Sequence, residues 1–252
     1  MYKVRLDKYL TEMGLGSRSE VKQGIRKGFV RVNGETVVRP EHKVSVKDKV
    51  FWKGTSVDFV EYEYIMLNKP AGVISATEDS REKTVVDLIP DSRRKDLFPV
   101  GRLDRDTEGL LLLTNDGKLA HRLLSPRHHV AKVYYAVVSG VMTEADIRSF
   151  AEGLYVDEEL TALPAELDIL SVHPAAGKSE AEDSGNPEGT SEIRLKIYEG
   201  KFHQVKRMVH AVGKEVIYLK RLSMGSLRLD EALRPGEYRR LSTSELEELY
   251  AE

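Results

Sequence analysis

Four consecutive leucines, Leu110 to Leu113, follow the charged loop Gly101-Arg102-Leu103-Asp104-Arg105-Asp106-Thr107-Glu108-Gly109 and precede Thr114-Asn115-Asp116-Gly117. An apolar run this short, bounded by turn residues, reads as a strand buried on both faces. Asn115-Asp116-Gly117 is the turn that ends it. Asp104 is therefore carried on a loop that a core strand holds rigid, which is where functional groups tend to be mounted. Arg102 and Arg105 flank it, and a nearby cation favours the ionised carboxylate. In a cationic pocket such a carboxylate can act as nucleophile or base on a polyanionic substrate. On composition alone the same charges would be solvated surface pairs worth little, so the rest of the chain has to decide.

The 252 residues suffice for one or two domains with a sizeable core. The absence of cysteine excludes disulfides and thiolate metal sites and fits a reducing cytoplasm. No apolar run approaches the roughly 18 residues of a membrane span, and the polar opening Met1-Tyr2-Lys3-Val4-Arg5 does not read as a signal peptide. The near-neutral total charge hides an asymmetry. Residues 1–53 carry 13 Lys+Arg against 6 Asp+Glu, the remainder 26 against 35. That split points to a nucleic-acid-binding arm on a larger body.

In the basic arm, Ser17 with Glu20 three residues on is a capping box. Val21 and Ile25 lie one turn apart on the inner face of the helix that follows. Lys22 and Arg26 are likewise one turn apart, with Arg18 and Lys27 adding to the cationic side. Gly28 ends the helix. Phe29 to Val32, Asn33-Gly34 and Glu35 to Val38 then read as a hairpin, with further short strands at 44–46 and 50–52. A basic helix of this kind can track phosphates, and its binding would weaken with salt.

Further on, 61–67 reads as a strand, Asn68-Lys69-Pro70-Ala71-Gly72 as a turn and Val73-Ile74-Ser75 as a return strand. Thr84 caps a short helix stopped by Pro90. Residues 91–99 read as a polar connector, 118–124 as a helix. Lys132 to Val138 is a strand with Tyr134, Ala136 and Val138 on one face. A tyrosine there that reached a pocket would offer a flat stacking surface and a hydroxyl. Thr143 to Gly153 reads as a surface helix. Residues 171–192, rich in Ser, Ala, Gly, Pro and Glu, read as a flexible, solvated loop. Ile193 to Ile197 alternates as a strand.

The segment after Gly200-Lys201-Phe202 winds as a helix capped by Gly213. Val205, Met208, Val209 and Val212 share one face; His203, Lys206, Arg207 and His210 fall on the other. The cationic face suits a phosphate or a buried carboxylate such as Asp104. His203 and His210, two turns apart with no third ligand near in sequence, make a poor metal site. Residues from Ser244 form a short terminal amphipathic helix.

Two sets of motifs resemble known families. Arg5-Leu6-Asp7-Lys8-Tyr9-Leu10, Gly16-Ser17-Arg18-Ser19-Glu20 and Gly28-Phe29-Val30-Arg31-Val32-Asn33-Gly34 resemble the alpha-L RNA-binding domain. Gly101-Arg102-Leu103-Asp104 with Thr107 and Gly109-Leu110-Leu111, and Gly200-Lys201-Phe202-His203-Gln204-Val205-Lys206-Arg207-Met208, resemble pseudouridine synthase signatures. Asn68-Lys69-Pro70-Ala71-Gly72-Val73 and Lys132-Val133-Tyr134 resemble two supporting motifs. Together the pattern is similar to the ribosomal small subunit pseudouridine synthase A family.

The resemblance implies an α+β protein. An alpha-L-type domain over residues 1–58 would precede a catalytic domain over 59–252, with a mixed, mainly antiparallel sheet and a central cleft. It implies conversion of one uridine of small-subunit (16S) ribosomal RNA to pseudouridine, without cofactor or metal. Cytoplasmic location, a precursor RNA or assembly particle as partner, no membrane association and a monomeric state are expected. Asp104 would be the catalytic carboxylate, and Tyr134 would stack on the base and assist proton removal. Lys206 aligns as the basic partner of Asp104, with adjacent Arg207 left open. Arg102 would hold the vacated stack or a phosphate, while Arg105 departs from the apolar residue often found there. RNA contacts are expected from Arg5, Lys8, Arg18, Lys22, Arg26, Lys27, Arg31 and His203.

The chemistry agrees with these groups. Breaking the N-glycosidic bond requires stabilising a sugar of oxocarbenium character, for which glycosidases use two carboxylates because they must also activate water. An isomerase excludes water, so one carboxylate suffices. Asp104 could attack C1′ or abstract the 2′ proton. Flipping the base costs a few kcal/mol, which cations and an aromatic platform offset. Three other readings stand beside this one. They are a large-subunit (23S) uridine as target, a non-catalytic assembly factor, and a metal nuclease using Asp104 and Asp106. Those two carboxylates would point apart on an extended chain. No phosphate-loop motif is present, and Gly14-Leu15-Gly16 follows no strand.

Overall fold

The structure is a computed structural model that describes residues 3–45, 47–175 and 189–251. The chain divides into two compact units, residues 1–63 with 89–97, and residues 64–88 with 98–252.

The first unit contains β1 (Lys3–Arg5), α1 (Leu6–Glu12), α2 (Arg18–Arg26), β2 (Val30–Val32), β3 (Glu35–Thr36), β4 (Lys43–Ser45), β5 (Val50–Trp52) and β6 (Thr55–Val57). Both halves of the Ser17/Glu20 capping box form at the start of α2. Asn33 and Gly34 turn the hairpin with positive φ, 52° and 93°, as a tight antiparallel turn needs. Val4, Leu6, Tyr9, Leu10, Val21, Ile25, Val30 and Val44 make one core. A Cβ on Gly24 would lie 2.2 Å from the Trp52 ring, so this helical glycine is there for close packing. Of residues 91–99, expected as a polar connector, 91–97 belong to this unit. Arg94 is 4% exposed and is bound by Asp96 at 2.6 Å and Glu12 at 3.1 Å. The segment looks solvated locally because the carboxylate of Glu12 lies far off in sequence.

The second unit contains β7 (Tyr64–Lys69), β8 (Phe98–Pro99), β9 (Glu108–Thr114), α3 (Gly117–Leu124), β10 (Lys132–Ser139), α4 (Glu144–Glu152), β11 (Leu154–Asp157), β12 (Leu160–Ala162), β13 (Glu166–Pro174), β14 (Gly189–Ile197), α5 (Gln204–Ala211), β15 (Glu215–Met224), β16 (Leu227–Arg228), β17 (Tyr238–Arg240) and α6 (Thr243–Ala251). Among the described residues its main sheet runs β13-β14-β10-β15-β9-β7-β17, with β16 on β15 and β8 on β9. Every pairing is antiparallel except β15 with β9. Leu110 to Leu113 are fully buried in β9, as the run of leucines requires. Leu119, Ala120 and Leu123 of α3 cover Leu110 and Leu112 on one side.

Two readings change. Val73 to Ser75 forms no return strand but only an isolated bridge, Ile74 to Thr84. The segment 171–192 is not all loop: Ser171 pairs with Glu192 and Pro174 with Gly189, so β13 and β14 run deep into it. Cross-strand pairing sustains strands there despite a polar composition. The rest of that segment, 176–188, lies outside the described residues.

Candidate active site

The Asp104 loop is a turn held from below. The Thr107 amide donates to the Asp104 carbonyl at 3.1 Å. Ser75 clamps the Leu103 peptide from both sides: its hydroxyl donates to the carbonyl at 2.8 Å and accepts from the amide at 3.1 Å. Lys69 is fully buried, and its Nζ donates to the carbonyls of Pro70, Arg105 and Thr107 at 2.9, 3.2 and 2.9 Å. Burial pulls its pKa down to about 8, against the opposing pull of Asp106 and Asp104. The Gly72 amide also donates to the Arg105 carbonyl, at 2.7 Å. Gly109, at φ 99°, lets β9 approach β15, since a Cβ there would meet the Arg221 carbonyl oxygen at 2.3 Å.

Because the loop turns, Asp104 and Asp106 do not point apart as an extended chain would make them. Both reach the ammonium of Lys206, at 3.3 and 2.6 Å. The Lys206 hydrogen bond holds Asp106 below the usual carboxylate range. Burial pulls the Lys206 ammonium down, but the Asp106 and Asp104 carboxylates outweigh it and raise its pKa. His203 Nε2 lies 3.5 Å from the other Asp104 oxygen, an ion pair when the ring is protonated. His203 is not within α5 but caps it in left-handed backbone, φ 49°.

Arg207, the alternative partner for Asp104, is committed elsewhere. Its guanidinium binds both oxygens of Asp157 on β11 at 2.5 Å, and that hydrogen bond lowers the Asp157 pKa. Successive helical residues point about 100° apart, so only one of the pair can face the loop. His210 is exposed. Arg105 pairs with Glu82 at 3.3 Å rather than with Asp104, whereas Arg102 is exposed and lines the same pocket as Asp104.

Tyr134 also lines that pocket and is 7% exposed. The strict alternation of β10 puts Lys132 on the same inward face. The Lys132 Nζ donates to the Val130 carbonyl at 2.9 Å. Burial, then repulsion from Arg221, depresses its pKa to about 8. Arg221 lines the pocket too. Sequence reading missed Lys69, Ser75, Lys132 and Arg221. Lys69 and Lys132 had a local signal: each stands in one of the two supporting motifs, and Lys132 lies two residues before Tyr134 on one strand.

A carboxylate paired with an ammonium beside a buried tyrosine can stabilise or capture a sugar cation while a planar base is held. The family model described as RNA pseudouridylate synthase matches residues 63–211, and that of the S4 domain matches residues 4–50. The chain belongs to the RNA pseudouridine synthase family.

Among relatives of this synthase, a Bacillus subtilis RNA pseudouridine synthase, YtzG, is 49% identical, covering 96% of this chain and 97% of the relative. The Yersinia pestis ribosomal small subunit pseudouridine synthase A is 37% identical, over 96% and 97%. The Bacillus subtilis ribosomal large subunit pseudouridine synthase B is 37% identical, over 98% and 96%. A crystal structure of a pseudouridylate synthase superposes with a TM-score of 0.64 at 35% identity, covering 98% of this chain and 99% of the other. The synthase is thus an RNA-modifying isomerase with an S4 RNA-binding domain. None of its described helices is long and apolar enough to cross a membrane.

In the S4 unit of the synthase, Arg18, Arg26, Lys27 and Arg31 are exposed and Lys22 is half-buried. Two expected RNA contacts are already engaged. Arg5 forks onto Asp7 at 3.0 and 2.9 Å, and Lys8 faces Glu12 at 3.5 Å. Arg5 also helps hold Asp7 below the usual carboxylate range.

Proposed function

We propose that this synthase converts one uridine of small-subunit (16S) ribosomal RNA to pseudouridine, in a precursor or assembly particle, as a cytoplasmic monomer. The observation that carries the catalytic reading is the Asp104 carboxylate, 24% exposed, held at 3.3 Å from Lys206 in a pocket shared with Tyr134. Asp104 is the catalytic carboxylate. It takes up the charge that develops on the sugar as the C1′–N1 bond breaks, either by bonding to C1′ or by removing the 2′ proton. Lys206 balances its charge and orients it. Tyr134 stacks on the flipped base, Arg102 and His203 meet phosphate or the vacated stack at the rim, and Arg18, Lys22, Arg26, Lys27 and Arg31 track the RNA backbone. Arg207 acts through the fold, fastening α5 to β11.

Asp104→Asn is expected to abolish tritium release from [5-³H]uridine-labelled rRNA while leaving RNA binding within a few-fold. Appreciable release by the variant refutes the assignment. Relatives named for the small subunit support the 16S reading. The large-subunit relative at 37% identity supports a 23S uridine as the alternative. Carbodiimide mapping of both rRNAs from a deletion strain separates them: a lost 16S signal supports the proposal, and a signal lost from 23S alone overturns it.

A further inference from the structure

Arg221 is 2% exposed, and its guanidinium is only partly used. Its Nε donates to the Leu110 carbonyl at 2.8 Å. Among the described residues, its Nη2 is buried and has no hydrogen-bond partner. The Thr107 hydroxyl, in the same pocket, is also buried and unpartnered. A buried donor without an acceptor is costly, more so when it carries charge. Such groups call for a partner that the described residues do not supply.

The register says which part of a ligand meets Arg221. It stands opposite Tyr134 of β10 on one side and Gly109 of β9 on the other. Residues directly across an antiparallel pair have Cβ atoms about 5 Å apart. A planar ring laid on Tyr134 therefore brings an edge to Arg221. Lys132, inward on the same face and repelled by Arg221, adds a second cation. Both carboxylates of the Asp104 loop are engaged with Lys206.

We propose that Arg221, with Lys132 beside it, is a catalytic electrophile that binds a carbonyl oxygen of the pyrimidine and stabilises the detached ring as an anion. This rests on the uridine-isomerising reading above. When the C1′–N1 bond breaks, its electron pair stays on the ring and spreads over N1 and the two carbonyl oxygens. The sugar's positive charge is met by Asp104. The ring turns, a C5–C1′ bond forms, the C5 proton leaves and N1 takes up a proton, so atoms balance. Nη2 of Arg221 and the Thr107 hydroxyl donate to the oxygens that carry the charge. Donors preorganised in a water-poor site are worth most where charge develops.

The test is single-turnover kinetics of C1′–N1 bond cleavage on transcribed 16S and 23S rRNAs made with uridine or with 5-fluorouridine. The fluorinated ring is the better anionic leaving group, and its C5 has no proton to lose, so that its reaction ends once the C5–C1′ bond has formed. Arg221→Gln is expected to slow the uridine RNA about 100-fold, the size of losing one such donor, with RNA affinity within about threefold of wild type. On 5-fluorouridine RNA the penalty should shrink below about tenfold, because a ring that holds its own charge needs the donor less. Equal slowing on both RNAs, or affinity lost in parallel with rate, overturns the proposal. Should Arg221→Gln not fold, Lys132→Met carries the same comparison, with the same leaving-group dependence expected and equal slowing overturning it. Wild-type protein that modifies neither RNA, bare or assembled with ribosomal proteins, would remove the uridine-isomerising reading itself. Active wild type with an unimpaired Arg221→Gln removes this inference alone.

Discussion

Arg18, Arg26, Lys27 and Arg31 of the S4 unit stand in solvent, whereas Lys69, Lys132 and Arg221 of the catalytic unit are 0, 5 and 2% exposed. The first set is open to water and counterions, so each member contributes a modest, salt-screened increment. The second set is held by backbone carbonyls, three for Lys69, one for Lys132 and one for Arg221. Buried cations fixed in this way order the loop and pocket around them, and removing one takes a donor from each of those carbonyls. Exposed cations are interchangeable and act by their number; buried cations act by position.

The sharpest way to break this contrast is to disturb the close approach that positions Arg221. Gly109→Val places side-chain atoms where the Arg221 backbone already stands, at a φ of 99°. Loss of soluble, cooperatively melting protein is expected, and a normal melting curve would contradict it. Lys206→Met should leave the fold intact and lower kcat on the order of 100-fold, read in a tritium-release assay, because the Asp104 carboxylate loses its cation. Replacing Arg18, Lys22 and Arg26 together by Gln should weaken RNA binding without changing single-turnover rate at saturation. The log–log salt slope should flatten by about 0.7 for each phosphate that is no longer neutralised.

Two smaller effects sharpen the comparison. Lys69 and Lys132 have pKa values near 8 in the folded protein, against about 10.4 for an unfolded lysine. Between those values the unfolded chain binds more protons, so each lysine makes stability rise with pH across that window. Urea unfolding at about pH 7.5 and about pH 9.5 should show that rise reduced in Lys132→Met and retained in Arg26→Gln. Arg207→Met, next to Lys206 but paired with Asp157, should lower the melting temperature slightly and leave kcat within about threefold. A loss as large as that of Lys206→Met would return Arg207 to the reaction.

Much of the molecule is readable along the chain. The leucine run forms β9, the Ser17/Glu20 box starts α2, Asn33-Gly34 turns a hairpin, and alternation in 132–138 puts Tyr134 inward. Asp104 and Lys206 stand in separate motifs and meet in space. Ser75 reads as strand in the sequence because a residue that clamps the Leu103 peptide 28 positions away leaves no periodic trace. Lys69 looks like part of a turn, and its role exists only once β7 lies against β9.

The elements, their caps and turns, and the strand that must be interior are written along the chain, because those depend on spacing within a few residues. Which charges meet is set by packing. Lys206 rather than Arg207 reaches Asp104 because Asp157 of β11 binds Arg207. Arg221 lies between Tyr134 and Gly109 because of the register of β15 against β10 and β9. Coulomb and hydrogen-bond energies depend on distances between groups about a hundred residues apart, and only the packed sheet sets those distances.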